Sequence, residues 1–182
     1  MPRVQVNGFE MNKKYLCAET GLSVRPSLET DLADIKRIYA AARRFMISHG
    51  NVLQWAGGYP SDDLIRKDIS YGNGFVISYG KIPCGVFAFF TGIDRTYVDI
   101  YDGEWLNDEP YCTIHRIAGD GTKKGILKTA VSFASLFSGN IRIDTHRDNY
   151  PMQNALARLG FIKCGTIFIA DGSPRIAYHK KL

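Results

Sequence analysis

The feature that most constrains the fold is a strand–turn–helix–strand pattern in the second half of the chain. An apolar run from Tyr111 to Ala118 precedes the turn "GDGTKKG", an apolar helical face over about 123–138, and the alternating segment "IRIDTH". Two strands joined through a helix lie parallel in one sheet with a right-handed crossover. The pattern therefore predicts an α/β domain whose lysine turn lies at the carboxyl end of a strand, where open α/β sheets bind ligands.

The turn is made of residues that disfavour a helix start. Lys123 and Lys124 oppose the helix macrodipole, and Gly125 within a helix costs about 1 kcal/mol relative to alanine. A bound anion would offset both costs, because it accepts hydrogen bonds from free backbone N–H groups and pairs with the lysines. The turn therefore predicts an anion site, with a solvated turn carrying incidental lysines as the alternative.

The remaining segments complete a single domain with a mixed sheet. A strand at 22–26 precedes helical patterns at 27–46 and 61–71, a β-hairpin at 74–92, a helix from Asn149 to Gly160, and two final strands. We therefore expect one domain over 22–182. Residues 1–21 show no sustained periodicity and are interpreted as an N-terminal extension or arm.

Composition and charge exclude several classes of protein. The chain has 182 residues, 45% of them hydrophobic, which suits one soluble domain with its own core. Its apolar runs are strand-sized and its N-terminus lacks a signal-peptide pattern, so no membrane span and a cytoplasmic location are expected. The net charge of +5 is dispersed without an interleaved basic and aromatic motif. This favours a phosphorylated cofactor over nucleic acid as the anionic partner.

The cysteines do not indicate a metal site. Cys17, Cys84, Cys112 and Cys164 are scattered, without a C-x-x-C pair or a histidine at zinc-binding spacing. We expect them to be reduced, buried side chains and expect no metal.

These segments resemble the GNAT family of N-acetyltransferases. The acetyl-CoA motif of that family, Arg/Gln-x-x-Gly-x-Gly/Ala, opens the helix after the fourth strand and falls here on 122–127. A later motif places an asparagine after the fifth strand and ends the next helix in Gly-Phe, which matches Asn149 and 160–161. The stretches "RRFMISHGNVLQWAGGYPSDDLIRKDI" and "HRIA…DTHRDNYPMQ" are similar to one bacterial subgroup, so the resemblance covers 22–182.

The resemblance implies a fold and an activity. The fold would be a mixed, mostly antiparallel sheet flanked by helices, with parallel fourth and fifth strands that splay apart. The enzyme would move an acetyl group from acetyl-CoA to a primary amine by direct attack in a ternary complex, without a metal. The acceptor would be a small-molecule or peptide amine, and family members often form homodimers through late strands. The implied cofactor-binding residues are Ile117, Gly119, Thr122, Lys123, Lys124, Gly125, Ile126, Leu127 and Asn149.

The chain departs from the family pattern at three positions. Thr122 replaces the first Arg/Gln and Leu127 replaces the second small residue, so Gly125 alone keeps its motif identity. Backbone donors survive both changes, and binding is therefore expected to persist. Leu156 stands where many members carry the tyrosine that protonates the leaving thiolate. A non-catalytic acyl-CoA-binding module is therefore the alternative to the enzyme.

The catalytic and acceptor-binding residues remain open among several candidates. Histidine titrates near neutral pH and suits a general base, and carboxylates near it can act as base or relay. Aromatic side chains in polar loops suit an acceptor pocket or, alternatively, only anchor the loops. The base candidates are His115, His146, Asp144, Glu104 and Glu109; Tyr150 is a substitute acid; Trp55, Tyr59 and Trp105 are acceptor-site candidates. The acceptor and the acyl chain length stay open.

Overall fold

The computed structural model describes residues 14–182 and contains a mixed eight-stranded sheet flanked by helices. The strand order is β1-β2-β3-β4-β5-β6-β8-β7, and every neighbouring pair is antiparallel except β5 and β6. The strands are β1 Tyr15–Leu16, β2 Ser23–Pro26, β3 Gly74–Tyr79, β4 Ile82–Thr91, β5 Cys112–Gly119, β6 Asn140–Thr145, β7 Ile162–Phe168 and β8 Pro174–Lys181. The helices are α1 Leu32–Ser48, α2 Asp62–Ser70, α3 Ile126–Ala134 and α4 Tyr150–Arg158. The predicted mixed, mostly antiparallel architecture is confirmed.

The strand numbering of the prediction needs one correction. The parallel pair was expected as the fourth and fifth strands, but it is β5 and β6, because β1 adds a strand at the N-terminal edge. Tyr15 pairs with Val24 there, and Cys17 is buried. Residues 14–21 of the predicted arm therefore adjoin the sheet, and residues 1–13 lie outside the described part of the chain.

Helix α3 begins three residues later than the sequence pattern predicts. Gly125 is its N-cap, with a left-handed φ of 86°, and Ile126 is the first helical residue. A φ of that sign is readily adopted by glycine and disfavoured in residues with a Cβ. Lys123 and Lys124 therefore lie in the preceding turn and not in the first turn of the helix.

The two faces of the sheet carry separate cores because side chains alternate along each strand. One face buries Phe75, Phe87 and Phe89 against Phe133 of α3, together with Leu156 of α4. The opposite face packs β3, β4 and β5 against α1 and α2, and its buried residues are Ile35, Ile38, Tyr39, Ala42, Ile65, Val76, Val86 and Ala118. Within residues 14–182, no helix is both long and apolar enough to cross a bilayer.

A third, smaller cluster anchors the long segment between β4 and β5. Tyr97, Ile167 and Ala177 are buried there, with Trp105 packed against them. His179 of β8 accepts the Leu106 N–H at Nδ1, and burial lowers its pKa to about 4. A neutral imidazole thus holds this segment against the sheet at neutral pH.

Replacing Leu156 with alanine is expected to destabilise the fold by about 2–5 kcal/mol, because it opens a cavity in a fully buried site. Leu136→Ala, at a leucine that is 57% exposed, is the matched control and should change stability by less than about 0.5 kcal/mol. Urea denaturation followed by circular dichroism measures both. Equal stabilities of the two variants would contradict the core position of Leu156.

Candidate functional site

The parallel strands β5 and β6 separate soon after they meet. They are paired only at Cys112 with Ile141 and at Thr113 with Arg142. Beyond these positions the facing edges have no strand partner within residues 14–182, and they open onto a cleft of 1270 Å³. Backbone groups in a sheet require hydrogen-bonding partners, so these edges are available to a ligand with amide groups of its own.

A bulge in β5 turns this edge toward the cleft. The β4–β5 register shifts between Val86 and Ala88, and Arg116 opposite the shift has a φ of 52°. A positive φ is strained for a residue with a Cβ and needs support from its surroundings. The support is a bidentate ion pair, in which Arg116 Nε and Nη2 lie 3.0 and 2.8 Å from the Asp68 carboxylate of α2.

The lysine turn forms one end of the cleft. Gly119, Lys123 and Leu127 line it, and Lys123 Nζ lies 3.8 Å from the centroid of the Tyr79 ring. Lys124 is exposed beside it. Cationic side chains and the N-terminus of α3 together make this end attractive to an anion.

The same turn contains a carboxylate whose negative charge is compensated by an arginine. Asp120 Oδ1 accepts the N–H and hydroxyl of Thr122 at 3.0 and 2.6 Å, and Arg37 of α1 lies 2.7 Å from Oδ2. Burial acts to raise the pKa of Asp120, but the Arg37 and Thr122 hydrogen bonds outweigh it and lower the pKa. The Thr122 N–H is therefore hydrogen-bonded within the turn.

His115 lines the cleft from β5 and precedes Gly119 on the same strand. Its Nε2 is 2.7 Å from Asp94 Oδ2, and Asp94 Oδ1 accepts the N–H and hydroxyl of Thr96. Burial opposes ionisation of Asp94, but the hydrogen bond and charge of His115 and the Thr96 bonds lower its pKa below the usual range. The ionised Asp94 carboxylate accepts a hydrogen bond from Nε2–H, so in the neutral tautomer Nδ1 is the His115 nitrogen that carries no hydrogen.

The basic nitrogen of His115 faces a second carboxylate. Asp144 Oδ1 on β6 lies 3.8 Å from His115 Nδ1 and accepts the Tyr97 hydroxyl at 2.7 Å. Burial and the Asp144 charge raise the pKa of Tyr97 well above its ordinary value, so this hydroxyl keeps its proton and donates. Trp105 in turn donates its indole N–H to the Tyr97 carbonyl.

His146 also lines the cleft, but its hydrogen bonds suit a donor better than a base. Its Nδ1 accepts the Asp148 N–H at 3.2 Å, so the neutral ring carries its proton on Nε2. Burial and the nearby positive charge of Arg175 lower the pKa of His146. The ring is therefore neutral at pH 7 and has an N–H to donate.

Another part of the cleft lining is an apolar wall. Phe45, Leu53, Trp55 and Tyr59 line it, and Phe45 and Leu53 are 50% and 61% exposed. Gln54 Oε1 in this wall accepts the Asn149 side-chain N–H at 2.8 Å, which joins the α1–α2 loop to the N-cap of α4. Exposed apolar side chains at a cleft mouth are typical of a ligand-binding surface.

The structure brings most of the predicted site residues to this cleft. Those that line it are Trp55, Tyr59, His115, Ile117, Gly119, Lys123, Leu127, Asp144, His146 and Asn149. Gly125 and Ile126 begin α3 and do not line the cleft. A Cβ at Gly85 would lie 2.8 Å from Ile126 Cγ2, so the close packing of α3 on β4 requires glycine at position 85.

Eight predicted residues lie outside the cleft lining: Thr122, Lys124, Gly125 and Ile126 at the turn, and Trp105, Tyr150, Glu104 and Glu109 elsewhere. Trp105 belongs to the third core cluster, because its ring packs on Tyr97 and its N–H is used there. Tyr150 is 64% exposed at the first position of α4, away from the cleft lining. Neither Glu104 nor Glu109 lines the cleft, and Glu109 instead accepts a hydrogen bond from Asn140.

Several cleft residues escaped the sequence analysis. Asp94 and Arg175 line the cleft from a loop and a late strand. Tyr97 and Arg37 do not line it but bond to Asp144 and Asp120, which do. These residues come from distant parts of the chain, so no local spacing relates them to His115. One signal was present: "DRT" after β4 fits an Asx turn, which fixes the Asp94 carboxylate beside the strand end. Within residues 14–182, no group of three or more His, Cys, Asp and Glu side chains could hold a metal ion.

The fold is shared with solved acetyltransferases of the GNAT family. A GNAT acetyltransferase from Streptococcus agalactiae is 29% identical, with a TM-score of 0.82 over 93% of this chain and 99% of that one. A GNAT acetyltransferase from Listeria monocytogenes is 20% identical, with a TM-score of 0.66 over 93% and 100%. RimJ of Mycobacterium smegmatis, solved with CoA-disulfide, is 17% identical, with a TM-score of 0.55 over 93% and 86%. No protein-family model and no curated protein sequence matches the chain.

Tyr97→Phe is expected to destabilise the protein by about 1–3 kcal/mol, because the buried Asp144 carboxylate loses a hydrogen bond. Tyr101→Phe, at a tyrosine that is 52% exposed, is the matched control and should be nearly neutral. Chemical denaturation at pH 7 compares the two. A stability change as small for Tyr97→Phe as for the control would show that Asp144 does not depend on this hydroxyl.

Proposed function

We propose that this chain, which has the fold of the GNAT acetyltransferases, is an N-acetyltransferase of that family that uses acetyl-CoA. The observation that carries the proposal is the opened β5–β6 pair, with a histidine–carboxylate dyad and a cationic turn both lining its cleft. The similarity to the S. agalactiae acetyltransferase over nearly its whole length supports the same activity.

The cationic turn suits the pyrophosphate of acetyl-CoA. The N–H groups of the first turn of α3 have no partner within the helix and are donors for phosphate oxygens, and Lys123 and Lys124 supply positive charge. Asp120 would repel a polyanion, but its pairing with Arg37 removes most of that repulsion. RimJ, a protein of the same fold, was solved with a CoA derivative, which supports this assignment.

The open edge of β5 suits the pantetheine arm. Ile117 and Gly119 line the cleft on this edge, beyond the last residue pair with β6. The two amide groups of pantetheine can bond to such an edge as a short strand would. The thioester would then lie near His115, between the turn and the apolar wall.

The dyad supplies the proton acceptor for the amine. An acceptor ammonium gives one proton to His115 Nδ1, and the positive ring is stabilised by Asp94 at Nε2. The nitrogen lone pair then attacks the thioester carbonyl carbon, forming the C–N bond while the C–S bond breaks. The second nitrogen proton passes to the leaving thiolate, so the products are the acetamide, CoA thiol and one proton released from His115.

The position at which many GNAT enzymes carry the thiolate-protonating tyrosine is occupied here by Leu156. Leu156 is fully buried in the core, and Tyr150 is exposed outside the cleft lining. We assign His146 Nε2–H as a hydrogen-bond donor to the developing negative charge, since the ring is neutral and lines the cleft. The leucine also favours one alternative function, an acyl-CoA-binding module without turnover.

Lys124→Glu is expected to weaken acetyl-CoA binding about ten-fold at low ionic strength, because the reversed charge lies beside the phosphate end of the cleft. Lys163→Glu, the same change on the exposed far strand β7, should leave the affinity unchanged. Calorimetric titration measures both. Absence of acetyl-CoA binding in the wild type would overturn the enzyme and the binding module together.

His115→Gln is expected to lower kcat by about 10²–10⁴-fold while acetyl-CoA affinity stays within a factor of about two, because the base and not the cofactor site is removed. Thiol release from acetyl-CoA with a panel of primary amines provides the assay. A variant that keeps the wild-type rate would exclude His115 as the base. Binding of acetyl-CoA without turnover of any amine would favour the binding module.

A further inference from the structure

We propose that the acceptor is a free α-amino acid with a bulky apolar side chain, held by Asp144 and His115 at its ammonium and by Arg175 at its carboxylate. This inference rests on the proposed acetyl transfer and names the substrate class of the same site.

Asp144 and Arg175 both line the cleft and form a loose ion pair. Arg175 Nε lies 4.0 Å from Asp144 Oδ2, beyond hydrogen-bonding distance, and the side chains are only 8% and 13% exposed. Buried charges are normally held by close hydrogen bonds, and a gap between them leaves both incompletely satisfied. A ligand with one positive and one negative charge can supply the missing hydrogen bonds to both Asp144 and Arg175.

The ammonium position is defined by two acceptors. His115 Nδ1 and Asp144 Oδ1 are 3.8 Å apart, and with His115 neutral neither has a hydrogen to give the other. An ammonium N–H directed at each would bridge them. The same placement delivers the amine to the base, so recognition and deprotonation use one pair of side chains.

The carboxylate position follows from the donors of Arg175. Within the described residues, its guanidinium donates one hydrogen bond, from Nη1 to the Pro174 carbonyl at 3.0 Å. Its remaining N–H groups match the bidentate geometry that guanidinium offers a carboxylate. The other charged groups that line the cleft nearby in the sequence are Asp171 and the exposed Arg147, and neither they nor the neutral His146 hydrogen-bond to the guanidinium.

The spacing distinguishes an amino acid from other amines. The ammonium and carboxylate of an α-amino acid are attached to a single carbon, which fits opposite charges 4.0 Å apart in the protein. A peptide N-terminus or a simple amine has no adjacent carboxylate and would leave Arg175 unpaired. The wall of Phe45, Leu53, Trp55 and Tyr59 then receives the side chain, which favours apolar or aromatic amino acids.

The experiment compares three acceptors that differ only at the carboxylate: L-phenylalanine, L-phenylalaninamide and phenethylamine. Thiol release from acetyl-CoA is measured with the wild-type enzyme, and L-leucine and L-methionine are tested as further amino acids. We expect kcat/KM for phenylalanine to exceed that for the two other amines by at least about ten-fold. Phenethylamine used as well as phenylalanine would overturn the inference while leaving acetyl transfer intact.

The matched variants are Arg175→Met and Arg147→Met, the second at a side chain that is 77% exposed at the cleft rim. Arg175→Met should lower kcat/KM for phenylalanine about ten-fold or more and leave phenethylamine nearly unchanged, whereas Arg147→Met should alter neither. An equal loss for both acceptors would overturn the carboxylate role of Arg175. The wild-type comparison stands by itself if Arg175→Met fails to fold.

Two further outcomes separate this inference from the proposed function. Acetyl-CoA binding with turnover of other amines but none of the three amino acids would overturn the amino-acid assignment alone. Failure of acetyl-CoA to bind would overturn the proposed function, and with it the inference.

Discussion

The ion pair between Arg116 and Asp68 supports the conformation on which the cleft depends. It holds a residue with a positive φ inside β5, and the bulge at that residue directs the strand edge away from β6. Without the bulge, β5 and β6 could continue their parallel pairing, and the backbone groups that face the cleft would bond to each other. A buried, bidentate pair between a strand and α2 thus converts a continuous sheet into a sheet with a gap.

The catalytic geometry depends on a segment with little regular structure of its own. Asp94 and Tyr97 come from the long segment between β4 and β5, and both hydrogen-bond to the groups around His115. This segment is anchored by Trp105, which packs against Tyr97 and against the Arg142 guanidinium at 4.1 Å. Because Tyr97 and Arg142 are buried and Trp105 packs between them, the carboxylates are held in position before any substrate arrives, as electrostatic catalysis requires.

The sequence predicts the fold better than the site. Alternation in "IRIDTH" and the helical faces identify most elements, because each depends on residues close together in the chain. The lysine turn and His115 stand out in the sequence for the same reason, and their roles stay predictions. Trp105 packs in the third core cluster, the loop-anchoring alternative of the sequence analysis, because aromatic loop residues serve pockets and cores equally well. The partners of His115 come from elements whose meeting depends on the whole topology. Helix α3 begins later in the sequence than predicted because Gly125 adopts a left-handed conformation, which hydrophobic periodicity cannot reveal.

The short parallel pairing also divides the sheet into two parts. Strands β1 to β5 and strands β6 to β8 are joined by backbone pairing at two residue pairs only, although the core beneath α3 and α4 is shared. A ligand bonded to both open edges would act as a cross-link between the two parts. Its binding energy would then add to the cohesion of the whole sheet, so backbone amides far from the ligand, on β6 and β8, would exchange their hydrogens more slowly when the gap is filled.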